Sequence, residues 1–91
     1  MKATKIKMKP GCGTSNNLLE IDSIYLTGTT QDDFYKKESI YDYLVSNPGT
    51  IQVDIYPYPN LIRALSSRNE KYVKSQPNDS QSDNLLKLPR E

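Results

Sequence analysis

The feature that most narrows the fold of this chain lies between Thr50 and Lys74. Three short runs follow one another there: Ile51-Gln-Val-Asp-Ile55, Leu61-Ile-Arg-Ala-Leu65 and Lys71-Tyr-Val-Lys74. Ile51, Val53 and Ile55 alternate with Gln52 and Asp54, the period-two pattern of a strand with one dry and one wet face. Pro57, Pro59 and Asn60 separate the first two runs, and Ser66-Ser-Arg-Asn69 separates the second from the third. Strand-like runs divided by such clusters predict an antiparallel meander.

A helix is predicted over Lys37–Ser46. Ile40, Tyr41, Leu44 and Val45 form one apolar stripe there, with Asp42 and Ser46 pointing the other way. Glu38 falls near the start, where the helix dipole favours an anion. Pro48 stops the helix and Gly49 supplies a permissive turn. Upstream, Leu19, Ile21, Ile24 and Leu26 predict a strand ending at Thr27-Gly28, and the phase slip at Asp22-Ser23 marks either a bulge or a late strand start. Thr29–Asp33 is turn-like, and Phe34-Tyr35 reads as a very short edge strand. Beyond Lys74, the polar Ser75–Ser82 reads as a turn. Asp83 then caps a helical turn whose Leu85, Leu86 and Leu88 close one end of the core.

The predicted fold class is α+β: an antiparallel meander sheet of three to four strands with one helix packed on one face. Ninety-one residues make one domain at most. A hydrophobic content of 35% and a mean hydropathy of -0.73 are low, and the polar ends carry much of the deficit. Residues 1–17 hold Lys2, Lys5, Lys7, Lys9, Pro10 and a Gly-Cys-Gly triplet, and read as a flexible basic arm. Residues 18–89 form the single small domain.

Charge is segregated although the net is only +1. The first ten residues carry four lysines and no acid, whereas Glu20–Asp54 carries seven acids against Lys36 and Lys37. Such segregation steers partners, yet a dominant basic face is absent. Cys12 is the lone cysteine, so no internal disulfide exists. That fits a reducing cytoplasm, the expected location. No apolar run follows the basic start as a signal peptide requires, and nothing approaches the ~20 apolar residues of a membrane span.

The C-terminal residues carry a resemblance. Glu70-Lys-Tyr-Val-Lys-Ser75, a short polar spacer and Asp83-Asn-Leu-Leu-Lys-Leu-Pro89 resemble the end of a family of short bacterial proteins catalogued as a domain of unknown function. Members run from a Lys-Tyr-Ile-Arg-Thr-like strand to an Asp-Asn-Leu-x-x-Leu-Pro finish. The similarity extends over roughly Leu19–Pro89. Lys74-Ser75 departs from the usual Arg-Thr, and the strand near Phe34 is eroded. The resemblance implies a small α+β domain and no activity.

The residues offer little chemistry. No histidine is present, which removes the commonest general base and transition-metal ligand. Zinc is disfavoured with one cysteine, and a Cys-His or Ser-His-carboxylate nucleophile is impossible. Gly11-Cys-Gly13 follows no strand and resembles no phosphate loop, so Cys12 reads as an inert thiol. Asp22, Asp32 and Asp33 lack the Ca²⁺-loop spacing and read as solvated turn carboxylates. Asn78, Asp79, Asp83 and Asn84 read as turn and cap residues. The chain is not expected to be an enzyme or to hold a cofactor.

The tyrosines point elsewhere. Seven Tyr and no Trp is a biased aromatic set. Tyr41 is expected in the core, whereas Tyr56 and Tyr58 lie in an exposed Tyr-Pro-Tyr-Pro turn. Arg63, Arg68, Lys71 and Lys74 follow, with Glu70 among them. Tyr and Arg favour protein interfaces, and on a sheet face they stack bases and contact phosphates. The simpler reading is that these are amphipathic edge residues and solvated cations. The preferred function is a small non-catalytic protein-binding module using Tyr56, Tyr58, Arg63, Arg68, Lys71 and Lys74. The alternative is a nucleic-acid-binding accessory protein using the Lys2–Lys9 arm and the Arg63–Lys74 region. A monomer or weak homodimer is expected.

Overall fold

A computed structural model, describing residues 1–77 and 83–91, makes the lysine-rich start of the chain an interior strand of the main sheet. The expected flexible arm over residues 1–17 is corrected here. β1 (Lys2–Met8) pairs antiparallel with β2 (Ile21–Thr27), which pairs antiparallel with β3 (Asp33–Lys36). On its other side β1 pairs in parallel with the two-residue β4 (Gln52–Val53), giving the order β3-β2-β1-β4. The C-terminal tail continues the row beyond β4: Ile6 N–H donates to Pro89 O at 2.9 Å, and Glu91 N–H donates to Ile6 O at 3.0 Å.

The physical reason is an inward row of Ala3, Ile6 and Met8. Its spacing is irregular in sequence, yet it becomes regular once a bulge is counted. Ala3 faces Leu26, Lys5 faces Tyr25, Ile6 faces Ile24, Lys7 faces Ser23 and Met8 faces Ile21. Thr4 and Asp22 are therefore the unmatched residues, one on each strand. A bulge shifts the period-two alternation by one place, so Ala3, Ile6, Met8, Ile21, Ile24 and Leu26 all face inward. Ala3, Ile6 and Ile24 are completely buried. That apolar burial outweighs the repulsion among lysines, whose ammoniums stand on the wet face.

The rest of the N-terminal segment is tied down as well. Lys9 N–H donates to Glu20 O at 2.8 Å, and the Arg90 guanidinium donates to Gly13 O at 3.0 Å and Ser15 O at 2.8 Å.

α1 (Lys37–Ser46) has the bounds its sequence predicts. Lys37, Ile40, Tyr41 and Leu44 are buried, an i, i+3, i+4, i+7 arc. Val45 is 52% exposed, because it lies one residue around the wheel from Leu44 and leaves that arc. Its expected place in the core stripe is corrected. β5 (Leu61–Leu65) and β6 (Lys71–Ser75) form the predicted antiparallel hairpin, as a separate two-stranded sheet against which α1 packs.

The first run of the expected meander behaves differently. Only Gln52–Val53 of Ile51–Ile55 is strand, and it pairs in parallel with β1. On its other side it keeps a short antiparallel contact with the start of the next run: Gln52 bridges Asn60, Leu61 N–H donates to Ile51 O at 2.8 Å and Val53 N–H to Pro59 O at 2.9 Å. Asp54 N–H still donates to Ala3 O at 2.9 Å, but Ile55 N–H folds back to Val53 O at 2.8 Å. Pro57 and Pro59, lacking N–H donors, then carry the chain around to Leu61. The main sheet is consequently mixed, not purely antiparallel.

At the C-terminus, a 3₁₀ turn over Asn84–Lys87 is capped by Asp83, whose side chain accepts from Leu85 N–H at 2.9 Å and from Ser75 N–H at 3.1 Å. Leu85 and Leu88 close the core as expected. Most of the predicted Ser75–Ser82 turn, including Asn78 and Asp79, lies outside the described residues.

Candidate functional site

The same alternation that buries one row of β1 and β2 exposes the other. Lys2, Lys5 and Lys7 lie opposite Thr27, Tyr25 and Ser23 on the outer face. Phe34 lies opposite Tyr25, and Lys36 opposite Ser23, so both share that face. The helix and the hairpin pack on the inner face.

Each β1 lysine on the outer face lies over an aromatic ring. Lys2 Nζ is 4.7 Å from the Tyr58 centroid, Lys5 Nζ 5.3 Å from Tyr25, and Lys7 Nζ 5.9 Å from Phe34. The Tyr25 and Phe34 rings meet edge to face, with centroids 5.1 Å apart and planes at 79°. An ammonium over a ring is held by the ring's quadrupole while the aliphatic stem covers apolar carbon.

Two carboxylates temper this charge. Lys36 pairs with Asp22 at 3.1 Å and Lys5 with Glu91 at 3.3 Å. The Lys36 ammonium beside Asp22 holds that carboxyl below the usual aspartate value. Among the described residues, Lys2 and Lys7 have no carboxylate within ion-pair distance.

The six residues singled out from the sequence do not form one surface. Tyr56 is 82% exposed and Tyr58 48%, and their rings meet edge to face at 6.1 Å. Tyr58 adjoins the outer face through Lys2. Arg63 and Lys71 flank the buried Tyr41 at 5.9 and 5.4 Å, and Lys71 also pairs with Asp42 at 2.7 Å. Lys74 pairs with Ile62 in register, on the opposite face of the hairpin from Arg63 and Lys71. Arg68 sits in the hairpin turn, its N–H donating to Ser66 Oγ at 3.2 Å.

The residues that sequence reasoning did not select are Tyr25 and Phe34. Their signal is parity: Tyr25 stands between Ile24 and Leu26, both inward, so its ring must point outward.

The remaining polar clusters have structural occupations. Lys37 is buried, pairing with Glu38 at 2.7 Å and Glu70 at 3.2 Å, and Lys9 joins Glu70 at 3.2 Å. Burial works against the Lys37 charge, but the two glutamates outweigh it and raise its pKa. The Lys37 and Lys9 ammoniums lower that of Glu70. Cys12 Sγ donates to Glu20 Oε2 at 2.9 Å, a bond that raises the thiol pKa and disfavours the nucleophilic thiolate. Asp32 accepts from Thr29 N–H at 3.2 Å, and Asp33 from Phe34 N–H at 2.7 Å. Among the described residues, no group of three or more Cys, Asp or Glu is placed to hold a metal ion. No helix of the described residues is long and apolar enough to cross a membrane. An open cleft of about 510 Å³ between the β2–β3 turn and α1 has Leu26, Ile40 and Ile51 as its floor and no charged side chain in its lining.

No curated protein and no solved structure matches the chain. A family described as "Protein of unknown function (DUF3892)" matches residues 36–89. The matched segment starts just before α1, later than the Leu19 suggested by the resemblance, and it includes the hairpin and the Asp83–Pro89 finish. The candidate face is built mainly from β1–β3, which precede that segment except for Lys36; Tyr58 lies within it. By a match over more than half its length, the chain belongs to the DUF3892 family, whose function is unknown.

Proposed function

We propose that the protein is a non-catalytic binding module whose outer sheet face takes nucleic acid. One observation carries this reading: three lysines of one strand stand in register on a partly exposed face, each over an aromatic ring. Lysines supply phosphate contacts, and rings supply platforms that every base can use. Arg63, Arg68, Lys71 and Lys74 are not part of this face: Lys71 pairs with Asp42, and Lys74 lies on the hairpin's other face from Arg63.

A second reading has its own support. Tyr56, 82% exposed, with Tyr58 beside it, forms an aromatic knob suited to a protein partner. We assign the protein to a reducing compartment, the cytoplasm, since Cys12 is its lone cysteine. It acts as a monomer or weak homodimer, with β3 as the sheet edge open to a second copy.

The test is fluorescence anisotropy of labelled single-stranded and duplex oligonucleotides across a salt series. Nucleic-acid binding falls as salt rises, with a slope of about 0.7–0.9 per phosphate neutralised. No anisotropy change at low salt with any oligonucleotide removes the reading. A partner held by the aromatic knob behaves otherwise: its binding is nearly salt-insensitive and disappears in Tyr56→Ala.

A further inference from the structure

We infer that the ligand of the outer face is single-stranded, with bases lying on Tyr25, Phe34 and Tyr58 and phosphates beside Lys2, Lys5 and Lys7. This rests on the nucleic-acid reading above and specifies the form of nucleic acid.

Three observations carry it. The rings come from different elements: Tyr25 from β2, Phe34 from β3, and Tyr58 from the loop between β4 and β5. The cations all come from β1, which runs between β2 and β4. A ligand using every ring must therefore cross the strands, from the β4 side to the β3 edge. The lysine–ring pairing also repeats three times, at 4.7, 5.3 and 5.9 Å. A base arriving on a ring displaces the lysine ammonium from that face to the rim, next to the base's own phosphate.

The third observation is the 79° angle between the Tyr25 and Phe34 planes. Bases lying flat on those two rings stand nearly perpendicular to each other. A single strand can splay its bases in that way, but a duplex keeps them stacked and paired inside. Among the described residues the face also carries no projecting helix or ribbon to enter a groove, the usual route to duplex bases. Its charge alone fits any polyanion; its rings select for accessible bases.

The experiment compares three probes on the intact protein: a labelled oligothymidylate, a duplex of the same length, and heparin, which has charge but no bases. The native protein is expected to bind the oligothymidylate at least about tenfold more tightly than the duplex. Tyr25→Leu and Phe34→Leu keep apolar bulk but remove the π-face. Each weakens oligothymidylate binding on the order of tenfold and leaves heparin binding unchanged. Quenching of tyrosine fluorescence reads the same contact without any variant. The oligothymidylate quenches the native protein and heparin does not, with no Trp emission to mask it.

Equal or tighter binding of duplex, native-like binding by both leucine variants, or an absence of quenching overturns the inference and leaves the nucleic-acid reading standing. Failure of all three probes to bind at low salt overturns both.

Discussion

The two faces of the β1–β2 pair are made by neighbouring residues of the same strands, yet they differ in almost every physical property. Inward, Ala3, Ile6, Met8, Ile21, Ile24 and Leu26 join one hydrophobic cluster with Ile40, Leu44, Val53, Leu61, Val73, Leu85 and Leu88. Outward, Lys2, Lys5, Lys7, Tyr25 and Thr27 are partly or fully exposed, with the small Ser23 buried between them. The inner face holds the fold together, while the outer is the face proposed to bind. Two bulges, at Thr4 and Asp22, keep the sides from mixing, because a one-residue slip without them turns lysines inward.

The largest test of this contrast is Ile6→Ala against Lys7→Ala. Ile6 is completely buried, so its truncation is expected to cost about 2–5 kcal/mol, lowering Tm by roughly 8 °C or more. Lys7→Ala is expected to change stability by no more than about 0.5 kcal/mol. Thermal or urea unfolding of both variants measures the difference. Comparable losses in the two break the division between faces.

Replacing Lys2, Lys5 and Lys7 together by Gln reverses the contrast. Stability should stay near native, while the salt dependence of oligonucleotide binding falls by a slope of about 2–3, one phosphate contact for each lysine. A salt series on the triple variant reads this directly. An unchanged slope moves the phosphate contacts away from β1.

A smaller stability effect belongs to the cap that closes the inner cluster. Asp83→Ala removes the acceptor for Leu85 N–H and Ser75 N–H and is expected to cost about 0.5–2 kcal/mol, read by urea unfolding.

Acid sharpens the same division. The Lys37 and Lys9 ammoniums lower the Glu70 pKa, so its contribution to stability is fully present above the unfolded glutamate value of about 4.3. It is lost as pH falls through the depressed folded value. Glu70→Gln should therefore be less stable than the native protein near neutrality, with the gap closing in acid. A gap that stays constant from neutral pH down through the carboxylate range contradicts the account of that network.

Several elements were legible in the sequence for identifiable reasons. α1 combines an apolar arc, an early Glu38 and a stop at Pro48, all local signals, and the hairpin runs Leu61–Leu65 and Lys71–Ser75 are bounded by Ser and Asn clusters. The phase slip at Asp22 and the Asp83 cap are also local. β1 was hidden because Ala3, Ile6 and Met8 are spaced three and then two apart. Only the Thr4 bulge reconciles them, and the intervening lysines suggest a solvated arm. The Ile51–Ile55 alternation gives the inward face of β4 and its short antiparallel contact with the Pro59–Leu61 segment, but not its parallel pairing with β1, which depends on contacts some fifty residues away. For the same reason the lysines and the rings read as unrelated features: Lys5, Tyr25 and Phe34 become neighbours only through sheet register. Val45 left the core because the buried arc follows Lys37, Ile40, Tyr41 and Leu44, and an apolar residue at its margin adds nothing there.

The most direct measurement is backbone NMR of the intact protein titrated with a short oligothymidylate at low salt. Shifts concentrated on Lys2–Lys7, Ser23–Thr27, Phe34 and Tyr58, with Ile40, Leu44 and the β5–β6 hairpin unmoved, are the predicted result. Shifts centred on the hairpin around Arg63 and Lys74, or none at saturating oligonucleotide, contradict the claim that the outer sheet face is the binding surface.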